Sequence, residues 1–500
     1  MSKKWHVKLN RRRAILLAVP LCLAAVGWWR IGLPLWQLRS ANLAGLRHSK
    51  LTTEIPSAKE RVLVLAPHAD DEVLACGGLI HEALGRGAYV QVALATNGDG
   101  FRWAATRLYD KLKITPEDFL ALGKERQSES LNALALMGLP PERVTFLSYP
   151  DGGTAQMWLR YWDAEHRYTS PQTKTDQSSY PDSFHPEAPY CGRALVDDLK
   201  AIIQRIKPTT VLCPHPNDNH SDHWALNCYT IAALYELGML DQVKLQLYLM
   251  HRGDWPVPQG LHKNLPLSPP AAMDGLDTHW ESLPLSPLLT ERKHRAMLRY
   301  HSQTLVLKRF MLSFVRSNEL FGSRPIGRLT TLGRGAIRID GIPHDWHLLK
   351  PAILDPAKDM GATALAPSAD LLRVYAVRGG NRLFVRIDAR GKISPEIRYQ
   401  INLHPVSDKL VGPPRHYSFG LKNDAPVGTK FDVSGKFLEA SLPWPGDAAS
   451  GGIMLNAASI SKSYTLDKTA WTLLRVPKEK PGPNLVRAKS DNVTLTGYQP

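Results

Sequence analysis

Residues 61–78, RVLVLAPHADDEVLACGG, constrain the fold more than any other stretch of the chain. The apolar run Val62 to Ala66 ends at Pro67 and opens into His68, Asp70, Asp71 and Glu72. A short apolar run that stops at turn chemistry reads as a buried parallel strand. Groups that bind metals or move protons, crowded just past such a strand, sit where open α/β sheets place their ligands, outside the carboxyl ends of the strands. The stretch therefore predicts a metal hydrolase site whose remaining ligands come from elsewhere in the chain.

The chain that follows repeats the same alternation. A helix is expected over about 72–85, a strand over 89–96 ending in Thr96-Asn97-Gly98-Asp99-Gly100, and a long helix opened by Thr115-Pro116-Glu117-Asp118. A third strand, 144–149, runs into Pro150-Asp151-Gly152-Gly153. Residues 154–188 are polar and read as a surface insertion. A helix over about 189–206 leads to the strand 209–213, which ends in PHPNDNHSDH, and then to a helix over 224–237 and a strand over 243–250. Strands alternating with helices imply an α/β domain with a Rossmann-like, mostly parallel, doubly wound sheet. Residues 254–289 are Pro-rich and without periodicity, and 290–303 and 305–320 read as closing helices. Beyond about 355 short strands separated by Gly, Pro and Asp turns predict an all-β, sandwich-like module.

The first 13 residues hold six Lys or Arg and no acid, and Ala14–Trp29 is apolar. With IGLPLWQL beyond Arg30 the segment is long enough to span a bilayer. Trp28, Trp29 and Arg30 make a poor cleavage context, so it reads as a single-pass signal anchor rather than a cleaved signal peptide. The positive flank places the N-terminus in the cytoplasm and the body of the protein outside the inner membrane. The expected organisation is a basic segment and anchor over 1–40, a catalytic domain over 60–325, a β domain over 355–478 and a loose tail over 479–500. The formal charge of +16 suits a partner that is anionic, such as phospholipid or a charged glycan. No nucleic-acid module is recognisable. The five cysteines form no CxxC and no disulfide framework.

Three clusters end three strands: His68/Asp70/Asp71, Asp151, and His220/Asp222/His223. A zinc hydrolase needs three protein ligands and an open position for water, and His68, Asp71 and His223 can supply a two-imidazole, one-carboxylate set. Asp70 can stay uncoordinated and act as base toward water. His220, one turn from His223, can donate to a developing oxyanion or a leaving amine. Asp218 or Asp222 can hold an imidazole in the required tautomer, and Glu72 reads as a capping and supporting residue.

These residues resemble the PIG-L / LmbE-like zinc-dependent N-deacetylases. Pro67-His68-Ala69-Asp70-Asp71-Glu72 matches the family's P-H-x-D-D-E, and His220-Ser221-Asp222-His223 its H-x-D-H. Arg126-x-x-Glu129 and Tyr300-His301-Ser302-Gln303 also correspond, over about residues 60–320. Ala69 and Ser221 stand where many members have Pro, and neither change removes a functional group. The resemblance implies Zn2+ on His68, Asp71 and His223, Asp70 as general base, His220 as acid or electrostatic stabiliser, and sugar contacts from Arg126 and Asp151. It implies an N-deacetylase of an N-acetylated amino sugar. With the anchor and the basic charge, the expected substrate is a membrane-linked glycoconjugate, bacterial lipopolysaccharide core or a lipid-linked glycan. The competing expectation is a glycan-binding envelope scaffold built on a degenerate deacetylase domain.

Overall fold

The computed structural model describes residues 51–253, 255–359, 366–420, 425–445 and 451–477. The expected N-terminal anchor and C-terminal tail lie outside the described residues. Among the described residues no helix is long and apolar enough to cross a membrane. They fall into two compact units, one ending at Arg324 and the other beginning at Pro325.

The first unit is a mixed α/β fold around a seven-stranded sheet in the order β3-β2-β1-β4-β5-β7-β6. Strands β1 (Arg61–Ala66), β2 (Tyr89–Thr96), β3 (Val144–Tyr149), β4 (Thr210–Pro214) and β5 (Lys244–Tyr248) are parallel. β1 is central: Val62 pairs with Val90 on one side and Thr210 on the other. Its residues 62–66 are wholly buried, so neither face reaches water and the sequence is a continuous apolar run. The chain steps outward from β1 through β2 to β3, then returns to β4. That reversal opens a crevice past the carboxyl ends of β1 and β4, where doubly wound sheets bind ligands.

Between the strands lie α1 (Asp71–Gly85), α2 (Arg102–Tyr109), α3 (Pro116–Leu136), α4 (Thr154–Leu159), α5 (Gly192–Ile206) and α6 (Ser221–Glu236). α3 starts where its signals place it: Thr115 Oγ1 accepts from the N–H of Asp118 at 3.3 Å, and Asp118 Oδ2 accepts from the N–H of Thr115 at 3.0 Å.

Four expectations need correction. The turn after β2 continues into α2, too short for its period to register in the sequence. Residues 154–188 are not only surface: the segment opens with α4, Trp158 and Ala188 are wholly buried and Tyr180 is nearly so. The Pro-rich region contains a strand, β6 (His279–Pro284), and α7 (Pro287–Met297) begins inside it. The second closing helix, α8 (His301–Leu312), ends early, and Asn318–Ser323 forms β7, antiparallel to β5 and β6.

The second unit contains two six-stranded sheets. One runs β10 (Ile353–Leu354), β11 (Leu371–Gly379), β12 (Arg382–Ala389), β16 (Phe437–Pro443) and β15 (Lys430–Ser434), with β9 (Thr330–Leu332) paired to β11. The other runs β14 (Arg415–Phe419), β13 (Arg398–Val406), β17 (Gly452–Ser461), β19 (Thr472–Arg475) and β8 (Gly327–Arg328), with β18 (Tyr464–Lys468) on β17. Alternate residues of both, among them Leu383, Val385 and Ile387 of β12 and Ile401, Leu403 and Leu455 opposite, fill one apolar core.

Candidate active site

The turn after β1 is held to its neighbours before any side chain faces the crevice. The N–H and Oγ1 of Thr96 both donate to the carbonyl of Pro67, at 2.9 and 3.0 Å. Asp70 then takes φ 149°, a conformation that L residues rarely adopt. Its N–H donates to Glu72 Oε2 at 2.9 Å, and its carbonyl accepts from the N–H groups of Val73 and Leu74. Glu72 is wholly buried, and its Oε1 accepts from Tyr300 Oη at 2.7 Å and from Ser130 Oγ. The consequence is that two consecutive carboxylates part. Asp70 lines the cavity, while Asp71 turns toward two imidazoles, its Oδ2 lying 3.1 Å from His68 Nδ1 and 3.2 Å from His223 Nε2.

β4 delivers the other half. Asp218 Oδ1 accepts from the N–H of His220 at 2.9 Å, and Oδ2 accepts from the N–H groups of Met250 and His251 at 2.9 and 3.0 Å. Oδ2 also lies 3.2 Å from His223 Nδ1. His220 caps α6: its Nδ1 accepts from the N–H of Asp222 at 3.3 Å. A ring that accepts at Nδ1 carries its proton on Nε2. Burial, together with the neighbouring His68 and His223, lowers the His220 pKa to about 4. The ring is therefore a neutral donor at neutral pH.

Asp222 reaches the other imidazole, that of His68. Its Oδ1 accepts from the N–H and Oγ1 of Thr154 at 3.1 and 2.5 Å, and Oδ2 from the N–H of Gly152 at 2.7 Å. Oδ2 also lies 3.2 Å from His68 Nε2, with Asp151 Oδ1 at 3.3 Å from the same nitrogen. Asp222 thus steadies His68 and the Asp151 turn, and Asp218 steadies His223. Asp151 Oδ2 accepts from the N–H of Gly100 at 2.8 Å, which ties the ends of β2 and β3 together under the cavity wall.

Arg126 is brought to the site with both terminal nitrogens engaged, while its buried Nε has no hydrogen-bond partner. It is almost wholly buried, with Nη1 on the carbonyl of Gly98 at 2.7 Å and Nη2 on that of Ala69 at 2.8 Å. Nη2 also lies 3.5 Å from Asp70 Oδ2. Burial raises the Asp70 pKa to about 8, against the opposing pull of Arg126.

One residue escapes sequence reasoning entirely. His251 follows β5, lines the cavity and stacks on Phe310 at 5.2 Å between ring centroids. Its ring lies 4.7 Å from that of His223 and 5.1 Å from that of His220. Its place past the carboxyl end of the next parallel strand was the available signal. The cavity, about 350 Å3, is walled by His68, Asp70, Arg126, Asp151, His220 and His251, with Phe101 and Leu307 as apolar borders.

The donor set fits a divalent cation. Ligand atoms of His68, His220 and His223 lie within 4.8 Å of one another, as do those of Asp71, His223 and His251. His223 is wholly buried, and its ring nitrogens sit 3.2 Å from carboxylate oxygens without the alignment of a hydrogen bond. Burial opposes charge on the two central imidazoles, yet the surrounding carboxylates raise both, His223 to about 10. The pocket is built to hold positive charge.

Residues 63–234 match the PIG-L family model, described as GlcNAc-PI de-N-acetylase. Two curated relatives are the 1D-myo-inositol 2-acetamido-2-deoxy-alpha-D-glucopyranoside deacetylases of Mycobacterium leprae strains Br4923 and TN. Each is 29% identical over 210 residues, covering 41% of this chain and 59% of the relative. The chain thus spans about three fifths of the length of the curated relatives it matches. Among solved structures, the 4-carboxy-2-hydroxymuconate hydratase GalB of Pseudomonas putida KT2440 aligns at a TM-score of 0.30 and 14% identity, covering 53% of this chain and 97% of that one.

Proposed function

From the premise that residues 63–234 are a PIG-L family domain, we propose that this chain is a zinc-dependent N-deacetylase of an N-acetylated amino sugar. The observation that carries the reading is the parting of Asp70 and Asp71. One carboxylate faces the cavity, and its neighbour is shared between His68 and His223. A hydrolase needs both, a free base and a ligand, within reach of one water.

His68, Asp71 and His223 would hold Zn2+, which when bound polarises a carbonyl and lowers the pKa of water. Asp70 takes a proton from the attacking water as its oxygen bonds to the acetamide carbon. His220 donates its Nε2–H to the carbonyl oxygen as negative charge gathers there. Asp70 then returns the proton to the nitrogen as the C–N bond breaks, releasing acetate and a free amine. Arg126 holds the turn that aims Asp70. Asp151 borders the sugar.

The cavity volume suits one sugar unit. The substrate named for the mycobacterial relatives, a 2-acetamido-2-deoxyglucopyranoside of inositol, supports an N-acetylhexosamine. The apolar N-terminal sequence and the net charge support a membrane-linked glycoconjugate, lipopolysaccharide core or a lipid-linked glycan, on the outer side of the inner membrane. Asp70→Asn tests the chemistry. The variant should keep its zinc stoichiometry and lose at least a hundredfold in acetate release from an N-acetylglucosaminide. Release at the parental rate would remove Asp70 from the mechanism. Comparing envelope glycan masses with and without Asp70→Asn names the sugar by its retained acetyl group.

A further inference from the structure

Two helices border the cavity and share an unusual outer surface. α2 follows directly from Phe101, and α8 carries Gln303 and Leu307; all three residues line the cavity. The two helices pack on each other. Their outward side chains are large and apolar where soluble helices are polar: Trp103 is 68% exposed, Leu305 45% and Val306 36%. Leu112, in the loop after α2, is 96% exposed and sits between two exposed lysines, Lys111 and Lys113.

The charge carried by the two helices themselves is of one sign. Arg102, Arg107, Lys308 and Arg309 are exposed, and neither helix contains an Asp or Glu. Acids enter beyond the two helices: Asp110, exposed Glu117, Asp118, which pairs with Lys111 at 2.6 Å, and exposed Glu125 on the neighbouring α3, close enough to act on Tyr109 of α2. Exposed Trp and Leu among cations is the composition of an interfacial segment. The apolar groups enter the acyl boundary and the cations meet lipid phosphates.

We propose that the α2–α8 face is a docking surface for an anionic bilayer, set beside the cavity so that a headgroup-linked sugar enters from the membrane plane. The occupant is chosen by charge complementarity. A zwitterionic surface offers the cations no net attraction, and a purely electrostatic partner leaves Trp103, Leu305 and Val306 wet. The proposal deepens the reading of a membrane-linked substrate, but its test needs no turnover.

The test uses the full chain with vesicles of phosphatidylcholine and phosphatidylglycerol in equal parts, prepared with ordinary or brominated acyl chains. Bromine quenches only tryptophan that enters the acyl boundary. Subtracting the emission of Trp103→Phe isolates Trp103 from the other tryptophans, including those of the N-terminal segment. The expected result is quenching of the Trp103 share by brominated anionic vesicles and none by pure phosphatidylcholine. Lys308→Gln/Arg309→Gln should raise the lipid concentration for half-maximal quenching by roughly 25-fold, about fivefold per cation. Leu305→Ser/Val306→Ser, which keeps the cations, should also weaken it. A Trp103 share that brominated vesicles leave unchanged overturns the proposal. So does quenching that is equal with pure phosphatidylcholine, or insensitive to the double glutamine change. A surface instead covered by the chain's own first 50 residues, or by a second copy, gives the unchanged result. If acetate release fails while Trp103 is quenched, the chemistry is wrong and the docking surface stands.

Discussion

The backbone N–H of Asp70 donates to Oε2 of Glu72 across 2.9 Å, so the residue that faces the cavity is held by a residue that cannot reach it. Asp70 at φ 149° stores on the order of 1–3 kcal/mol of backbone strain. Glu72 opposes its relaxation while collecting two more donors, Ser130 Oγ and Tyr300 Oη. Glu72→Ala leaves three donors without their acceptor in a dry site and should cost about 3 kcal/mol or more of stability. Glu72→Gln places an amide N–H against a donor and should cost less. Both should lower kcat more than they raise KM, because the base is misaimed while the cavity remains. Chemical denaturation beside steady-state kinetics checks the pair. Parental kcat in Glu72→Gln would show that the turn holds itself.

Arg126 separates a sugar contact from a structural clamp. Its guanidinium bridges the carbonyls of Gly98 and Ala69, joining the turns after β2 and β1, and lies 3.5 Å from Asp70. A lysine cannot make that fork. Arg126→Lys should reduce kcat at least tenfold with little change in KM. A rise in KM at constant kcat would return Arg126 to the substrate.

Much of this site was legible because its residues fall at strand ends. A buried strand announces itself by an unbroken apolar run, and whatever follows it occupies a fixed place in a doubly wound sheet. His68, Asp151, His220 and His223 could therefore be grouped across some 150 residues of chain. His251 was missed although it follows a strand end, because no second histidine or acid stands directly beside it and no quoted motif includes it. The geometry of Asp70 and the engagement of Arg126 were hidden for another reason. Both depend on backbone carbonyls and dihedrals, which no side-chain pattern reports. β6 and β7 were obscured by a Pro-rich lead and by a short run, NELFGS, whose polar ends mimic a helix terminus.

The second unit should lose stability as pH rises. Asp467 accepts from the N–H groups of Leu371 and Lys468 at 2.7 and 2.8 Å. Burial, with Asp359 and Asp370 nearby, raises its pKa to about 8. Between the ordinary carboxylate range and pH 8 the folded unit therefore keeps a proton that the unfolded chain has released. The folded state binds more protons, so unfolding free energy falls with rising pH and levels off above 8. Calorimetry in the presence of a chelator should show the transition of this unit moving down from pH 5 to pH 8. Asp467→Asn should flatten that slope and match or exceed the parent at pH 8. An unchanged slope would place the titrating group elsewhere.

Lys293 and Glu319 form the ion pair that fixes α1, and with it Asp71, against α7 and β7. Both side chains are 1% exposed and their charged atoms meet at 2.7 Å. Glu319 also accepts from the N–H groups of Gly78 and Leu79 at 2.6 and 2.9 Å. The approach is close enough to require glycine: a Cβ at position 78 would lie 2.5 Å from Leu285 Cδ2 and 3.1 Å from the Glu319 carboxylate. Removing one charge strands the other in a dry interior, so Lys293→Met should cost about 3–5 kcal/mol. Lys293→Met with Glu319→Gln removes both charges, keeps an acceptor for α1, and should recover part of that loss. Gly78→Ala should destabilise on its own by forcing α1 away from β7, and should lower zinc affinity because Asp71 moves with the helix. Denaturant titrations of these three variants and of Glu319→Gln alone, with zinc binding measured by competition with a chelator, test the argument. Additive losses in the double variant would show that Lys293 and Glu319 act separately.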